Sequence, residues 1–217
     1  MTYTRENPSP RFQQLLGFYR QLHDGGDPEM AIPPEEMFDG HAIMAHAGFL
    51  RDLIEGFRCR SVLDYGAGKA MAYTSAVFKR PDGSKARGLK EYWGVDEVVL
   101  YDPGYEPYAT LPARRFHAVI STDVMEHIPE EDVDWVIDEL FGFAERMVYA
   151  CISTYPAQKH FPDGSNVHVT LRDSAWWLQR FRARKAALGS DAEFILVVYR
   201  DASDKAPEIL TSFPRPQ

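Results

Sequence analysis

The chain has 217 residues, of which 45% are hydrophobic and 26% are charged, so it has the composition of an ordinary globular protein. This length is sufficient for one α/β domain with a full core, and a second independent domain is not expected. The formal net charge of −8 argues against general nucleic-acid binding by bulk electrostatic attraction but does not exclude a local basic patch, and no apolar run reaches the roughly 18–20 residues of a membrane span.

Two further features indicate the cellular environment. The first eight residues lack the apolar core of a signal peptide. The two cysteines, Cys59 and Cys151, lie beside apolar segments and predict buried free thiols in a reducing compartment. We therefore expect a cytoplasmic protein that acts on a small molecule without a membrane partner, and a homo-oligomer is compatible with this composition.

The first part of the chain is predicted to be helical. Apolar side chains recur at helical spacing over residues 10–23, and a Gly-Gly-Asp-Pro sequence at 25–28 ends this helix. A longer helix is expected from residue 33 to about residue 57. Residues 1–58 would then form a helical extension, either a lid or only a packed addition, on a compact domain formed by residues 59–217.

The rest of the chain alternates between strands and helices. Strands are predicted at residues 60–65, 94–102, 116–121, 147–153 and 194–199, with 209–213 as a possible partner of the last. Helices are predicted at 70–78, at 130–144 and after Asp173, with an exposed basic loop at 79–92 and a long loop at 155–170. This order predicts a single-domain α/β fold with a Rossmann-like, mostly parallel sheet and helices on both faces.

The most informative motif is VLDYGAGKA at residues 62–70, where an apolar strand ends in an acidic residue before a Gly-x-Gly turn. Gly66 and Gly68 allow a sharp turn and a close approach of the backbone to a ligand. Dinucleotide-binding enzymes have a third glycine at the next spaced position, and this chain has Met71 there. The motif therefore favours a cofactor without phosphate groups, although a plain strand-to-helix turn is the alternative.

Two later motifs have similar positions. Residues 98–102 form a second apolar run that ends in Asp102, before Pro103 and Gly104. Residues 116–129 have the sequence FHAVISTDVMEHIP. All three motifs follow predicted strands, and a doubly wound sheet binds its ligand outside the carboxyl ends of its strands.

In this order the three motifs resemble those of the class I S-adenosylmethionine-dependent methyltransferases, over roughly residues 36–200. The resemblance implies S-adenosylmethionine as cofactor and methyl transfer to a small polar acceptor such as a sugar or sugar phosphate, with oxygen as the expected site. The family normally has another helix and strand after the second acid. Only residues 103–115 are available here, so a shortened region is expected and the adenine site stays unassigned.

The resemblance also implies a set of cofactor contacts. Backbone N–H groups of the glycine turn would meet the cofactor carboxylate, and Asp64 would accept from its ammonium group. Asp102 would accept from both ribose hydroxyls, with a structural turn as its alternative role. The implied cofactor residues are Asp64, Tyr65, Gly66, Ala67, Gly68, Asp102, Pro103, Thr122 and Asp123.

His127 is the predicted catalytic base, because an imidazole can take a proton from a hydroxyl near neutral pH, and Glu126 would orient it. The alternative is a structural role at the start of the next helix. Asp123, Glu126, His127 and His168 also resemble the metal-binding residues of some RNA-terminal and quinone-type O-methyltransferases, for which Mg²⁺, Mn²⁺ or Zn²⁺ would be suitable. We expect the metal-free base and keep the metal as the alternative.

Two loops bear on the acceptor. The basic residues at 79–92 indicate an acidic or phosphorylated acceptor, and the long loop at 154–172 is expected to border the acceptor site. Two other functions stay open. One is a binding module that keeps the fold without catalysis, and the other is an NAD-linked oxidoreductase, which the missing third glycine disfavours.

Overall fold

Residues 2–28 and 30–213, which the computed structural model describes, contain five α-helices and eight strands. The helices are α1 (Pro10–Gly25), α2 (Ala47–Gly56), α3 (Gly88–Trp93), α4 (Val133–Phe143) and α5 (Ser174–Leu188). The strands are β1 (Ser61–Tyr65), β2 (Val77–Lys79), β3 (Lys85–Arg87), β4 (Glu97–Tyr101), β5 (Phe116–Thr122), β6 (Ala144–Ser153), β7 (Glu193–Tyr199) and β8 (Glu208–Thr211). Short 3₁₀ turns lie at Pro34–Glu36, His41–His46, Met71–Tyr73, Glu106–Tyr108 and Met125–His127.

Six of the strands form the central sheet, in the order β4-β1-β5-β6-β7-β8. The first five are parallel, and β8 is antiparallel to β7, as the predicted pairing of residues 209–213 suggests. The chain passes from β1 to β4 on one side and then to β5 on the other, so the strand order reverses between β1 and β5. The predicted α/β fold with a Rossmann-like, mostly parallel sheet is confirmed.

Apolar side chains cover both faces of this sheet. On one face α4 and α5 contribute Val136 and Trp177 to the larger cluster. On the other face α2 and α3 contribute Leu50 and Leu89. The central strands β5 and β6 are buried along most of their length, and strands buried on both faces appear in a sequence as continuous apolar runs. None of the helices in the described residues is long and apolar enough to cross a membrane.

The first predicted helix is confirmed, and the second is wrong for its first half. Ser9 caps α1 by accepting from the Phe12 N–H. Residues 34–46 contain two 3₁₀ turns instead, and the predicted helix is present only from Ala47, as α2. Phe38 and Gly40 have φ angles of 50° and 77°, which a continuous right-handed helix does not allow.

The structure also corrects the segment after the glycine turn. Ala70 has a φ of 54°, so no helix starts there, and the predicted helix at residues 70–78 is replaced by a single 3₁₀ turn. The predicted basic loop at 79–92 is the hairpin β2–β3 followed by α3. The charged side chains of β3 face the solvent: Lys85 and Arg87 are exposed, and Ala86 between them is buried.

The region after β4 is short, as predicted. Only the 3₁₀ turn Glu106–Tyr108 separates β4 from β5. Without a further helix and strand in this interval, β4 lies at the edge of the sheet. The residues that follow β4, 102–115, form a loop, and its first residue, Asp102, contacts the turn at the carboxyl end of β1.

Arg5 joins the N-terminal segment to the sheet and to α4. Its guanidinium donates to the hydroxyls of Tyr65 and Tyr101, at 3.0 Å each, and forms an ion pair with Glu139. Tyr65 also donates to Glu139 at 2.7 Å. Because this network is partly buried, each member depends on the others for its hydrogen bonds.

We expect Glu139→Gln to lower the free energy of unfolding by about 1–3 kcal/mol, because it removes the carboxylate that balances Arg5. Urea denaturation measures this change. The matched control is Glu97→Gln, which breaks an ion pair with Arg114 whose two side chains are each 48% exposed. That control should change stability by only about 0–1 kcal/mol. Equal losses in the two variants would contradict the anchoring role of Glu139.

Candidate functional site

A cavity of about 660 Å³ opens at the carboxyl edge of the sheet, where the strand order reverses. Its floor consists of the residues that follow β1, β4, β5 and β6. Side chains of α1, residues 36–42 and the loop after β6 cover it. Small-molecule sites have volumes of roughly 300–1,000 Å³, so this cavity has the size of a cofactor or substrate site.

The structure brings most of the predicted site residues to this cavity. Those that line it are Gly66, Ala67, Gly68, Asp102, Pro103, Thr122, Asp123 and His127. Tyr19, Phe38 and His41 of the predicted lid also line it, whereas Met44 does not. The convergence of three motifs that lie far apart in sequence follows from the parallel arrangement of β1, β4 and β5.

Asp64 and Tyr65 are the two predicted cofactor residues that do not line the cavity. The buried carboxylate of Asp64 accepts from the Tyr73 hydroxyl at 2.7 Å. Burial raises the pKa of Asp64 to about 7, although the hydrogen bond from Tyr73 lowers it. Tyr65 points toward α4, where its hydroxyl donates to Glu139. Asp64 therefore does not face the cavity in this arrangement, and its hydrogen bond with a cofactor ammonium group, direct or through water, stays a prediction.

The backbone donors of the glycine turn are all used inside the protein. The N–H groups of Gly66 and Ala67 donate to the Tyr101 carbonyl, Gly68 to Asp102, Lys69 to the Phe38 carbonyl, Ala70 to the Ala67 carbonyl and Met71 to the Asp39 carbonyl, at 2.7–3.1 Å. A cofactor carboxylate or phosphate would find none of these donors free. In this arrangement the expected N–H contacts are not available, because Tyr101, Asp102 and Ala67 accept from four of the donors and residues 38–39 accept from the other two.

Glycine is required at this turn because two backbones come close together. Gly68 has a φ of 56°, and a Cβ there would lie 2.3 Å from the Phe38 carbonyl oxygen. Gly40 has a φ of 77°, and a Cβ there would lie 2.8 Å from the Ala67 carbonyl oxygen. The predicted close approach is present, but its partner is the protein's own chain.

Asp102 connects the turns that follow β1 and β4. One carboxylate oxygen accepts from the Gly68 N–H and the other from the Gly104 N–H, both at 2.8 Å. Burial raises the pKa of Asp102, and these backbone hydrogen bonds act in the opposite direction. Asp102 therefore has the structural role in a turn that the sequence analysis gave as its alternative, and its contact with a ribose stays a prediction.

We expect Asp102→Ala to lower the free energy of unfolding by about 1–3 kcal/mol, because two backbone N–H groups lose their acceptors. Asp102→Asn keeps one acceptor oxygen, so its free energy of unfolding should fall by less than that of Asp102→Ala. Asp96→Ala, which removes an exposed carboxylate paired with Arg60, is the control for a surface change. Chemical denaturation measures all three variants, and an Asp102→Ala protein as stable as the parent would leave the structural role without support.

Glu126, His127 and His168 form a cluster after β5 and β6, in which the two histidines line the cavity and Glu126 lies buried behind its wall. One candidate ligand atom of each lies within 4.8 Å of the others. The two imidazole rings meet edge to face, with centroids 4.8 Å apart. The predicted convergence of these three side chains is confirmed, whereas Asp123 lies outside the group.

Backbone carbonyls orient both histidines. His127 Nδ1 is 3.0 Å from the Val167 carbonyl oxygen and 2.5 Å from the Tyr19 hydroxyl oxygen. His168 Nδ1 is 2.6 Å from the Tyr155 carbonyl oxygen. A carbonyl only accepts, so Nδ1 of each ring is the donor in its carbonyl contact, and Nδ1 of His127 shares its proton between the Val167 carbonyl and the Tyr19 hydroxyl oxygen. Nε2 of His127 keeps its lone pair.

Glu126 is fully buried, and one of its oxygens lacks a partner. Oε1 accepts from the Ser153 N–H at 2.7 Å, while Oε2 has no hydrogen-bond partner among the described residues. Burial and the neighbouring charge of Asp123 raise the pKa of Glu126 to about 8. One carboxylate oxygen and two imidazole nitrogens form a donor set that suits Mg²⁺, Mn²⁺ or Zn²⁺.

Burial also determines the charge of His127. It lowers the pKa of His127 to about 3, and the neighbouring His168 acts in the same direction. The ring is therefore neutral at pH 7, but a group with so low a pKa is a weak proton acceptor. This counts against the efficiency of the base that the sequence predicts.

Sequence reasoning missed His23 of α1, which lines the cavity. Its ring stacks on Tyr105 with centroids 5.1 Å apart, and its Nδ1 is buried without a partner among the described residues. Burial lowers the pKa of His23 to about 4. A single histidine within a helical apolar pattern is typical of a core residue, so the sequence contained no signal for this position.

Acidic side chains outnumber lysine and arginine on the cavity wall. The acidic lining residues are Glu36, Asp39, Asp102 and Asp123, and Lys159 is the one lysine or arginine among the described residues that line it. The basic residues at 79–92 lie elsewhere, so they do not support an acidic acceptor at this site. The wall favours a ligand that carries positive charge.

No protein-family model, curated protein or solved structure gives a significant match to this chain. The resemblance to class I methyltransferases therefore rests on the three motifs, and the position and lining of the cavity are independent observations.

Proposed function

We propose that this protein binds S-adenosylmethionine in the cavity and transfers its methyl group to an oxygen atom of a small polar acceptor. The observation that carries the proposal is the acidic wall of a cavity at the reversal of strand order. S-adenosylmethionine has a sulfonium and an ammonium group against one carboxylate, so its net charge suits this wall. NAD carries a net negative charge from its two phosphates, so it suits this wall less well.

For methyl transfer, the main task of the protein is to position the methyl donor and the acceptor relative to each other. The cofactor would supply an electrophilic methyl group, which would pass from sulfur to the acceptor oxygen as the acceptor hydroxyl loses its proton. Holding the two reactants in line would supply much of the acceleration. His127 Nε2 would take the proton in the metal-free mechanism, although its low pKa makes it a weak base.

A metal-assisted variant is the second candidate, and the unpartnered oxygen of Glu126 favours it. Glu126, His127 and His168 would hold the cation, which would act as a Lewis acid on the acceptor oxygen. Ser153 holds the carboxylate, and the Val167 and Tyr155 carbonyls hold the rings. These outer contacts are of the kind that orient metal ligands in proteins.

A binding module without catalysis is the rival from another class. Two observations favour it: the N–H groups of the glycine turn are already used, and His127 is a weak base. Such a protein would bind S-adenosylmethionine and S-adenosylhomocysteine without consuming the first. Prolonged incubation with S-adenosylmethionine and a mixture of metabolites, followed by assay for S-adenosylhomocysteine, separates this module from an enzyme.

Isothermal titration calorimetry tests the cofactor. We expect S-adenosylmethionine and S-adenosylhomocysteine to bind with dissociation constants on the order of micromolar, about −8 kcal/mol in free energy, and NAD to give no measurable heat. Adenosine monophosphate serves as a control for nonspecific nucleotide binding. Binding of NAD without a response to S-adenosylhomocysteine would overturn the proposal.

Chelation and histidine variants separate the two mechanisms. If His127 acts as a base alone, His127→Ala should lower turnover about 10²–10⁴-fold and chelator should have no effect. If the cluster binds a metal, chelator should abolish turnover, Mg²⁺, Mn²⁺ or Zn²⁺ should restore it, and the same cation should raise the melting temperature of the parent but not of His168→Ala.

His160→Ala is the matched control for these variants, because His160 lies in the same loop as His168 but outside the cluster and outside the cavity wall. It should keep both turnover and any thermal response to metal. Turnover that survives chelator and His127→Ala together would contradict both mechanisms and leave positioning as the source of rate.

A further inference from the structure

We propose that Lys159 is the anion-binding residue of the cavity and holds the carboxylate or phosphate group of its ligand. The proposal rests on the proposed function for the identity of that ligand, but the anion site itself is argued from the surroundings of Lys159.

The ammonium group of Lys159 contacts the Phe38 ring and the Met37 sulfur, and it has no acidic partner among the residues that the structure describes. Lys159 lies in the loop after β6, and its Nζ is 5.1 Å from the centre of the Phe38 ring and 3.9 Å from Met37 Sδ. No ion pair among the described residues includes it. A half-buried ammonium group in such a position is best stabilised by an anion from outside the protein.

A neighbouring lysine provides the contrast. Lys69 follows the glycine turn, but its Nζ already donates to the backbone carbonyls of His23 and Pro34. Lys69 is also absent from the cavity wall. Of these two lysines, only Lys159 is therefore free to bind a ligand.

The loop holds Lys159 in place. The Val167 N–H donates to the Lys159 carbonyl at 3.3 Å, and Asn166 forms hydrogen bonds with both backbone groups of Ala157. Phe161 of the same loop packs against Tyr19 of α1. Anchoring on both sides reduces the entropy that Lys159 loses when it binds an anion.

The glycine turn explains why such a residue is needed. An anionic ligand group at this edge of a doubly wound sheet ordinarily meets backbone N–H groups of that turn, and here acceptors of the protein itself use them: the carbonyls of Phe38, Asp39, Ala67 and Tyr101 and the carboxylate of Asp102. Lys159 supplies positive charge beside the Phe38 ring instead. The anion has two possible sources, which share one chemistry: the carboxylate of the cofactor or an acidic group of the acceptor.

Calorimetry with three probes tests the proposal in Lys159→Met and Lys159→Arg. The probes are S-adenosylhomocysteine, which has the carboxylate, 5′-methylthioadenosine, which lacks the amino-acid part, and inorganic phosphate. We expect Lys159→Met to weaken binding of S-adenosylhomocysteine or phosphate about tenfold or more, to leave 5′-methylthioadenosine unchanged, and Lys159→Arg to keep most of the affinity.

Lys85→Met is the matched control, because it removes an exposed lysine of β3 outside the cavity. It should leave all three affinities unchanged. Lys159→Gln replaces Lys159→Met if circular dichroism shows that the latter does not fold.

The pattern of losses identifies the source of the anion. Loss for S-adenosylhomocysteine alone assigns the cofactor carboxylate, and loss for phosphate alone assigns an acidic acceptor. Phosphate binding that depends on Lys159 in a protein that ignores S-adenosylhomocysteine would support the anion site and reject the proposed function. Unchanged affinities in Lys159→Met, or a parent protein that binds neither anion, would overturn the inference.

Discussion

The backbone of residues 38–40 lies directly against the glycine turn after β1, and the form of the whole cavity depends on this contact. The Phe38 and Asp39 carbonyls accept from the N–H groups of Lys69 and Met71, both at 2.8 Å. The Phe38 side chain then packs against Tyr19 of α1, with ring centroids 5.3 Å apart, and lies beneath the ammonium group of Lys159. One short segment thus joins the turn, the helical cover and the loop after β6.

Burial sets the electrostatic character of this enclosed space. His23 and His127 would be partly charged in water and are neutral here, because burial lowers the pKa of each. Burial acts in the opposite direction on Asp102 and Asp123 and raises the pKa of each, and it raises the pKa of the neighbouring Glu126 to about 8. Each added or removed charge is felt strongly at low dielectric, so a bound ligand and the cluster of Glu126, His127 and His168 must influence each other.

The strands of the sheet could be predicted from the sequence, whereas the conformation of residues 33–57 could not. β5 and β6 are buried on both faces, so their apolar runs identify them without knowledge of their neighbours. The parallel order then brings strand ends together, which is why the meeting of Glu126 with His168 was predictable. Residues 33–57 also have apolar residues at helical spacing, but periodicity carries no information on the sign of φ at Phe38 or Gly40. The use of the turn's donors depends on a contact between residues about thirty positions apart, which local pattern does not encode.

The position of residues 38–39 against the glycine turn also affects the rate at which a ligand binds. A ligand group that needs the N–H groups of Lys69 and Met71 can reach them only in molecules whose residues 38–39 have moved away, because the Phe38 and Asp39 carbonyls accept from these two donors. Its apparent affinity is the intrinsic affinity reduced by the fraction of molecules in that open form. At high ligand concentration its rate of binding approaches the rate of opening, whereas a ligand held by side chains of the wall alone associates without this delay.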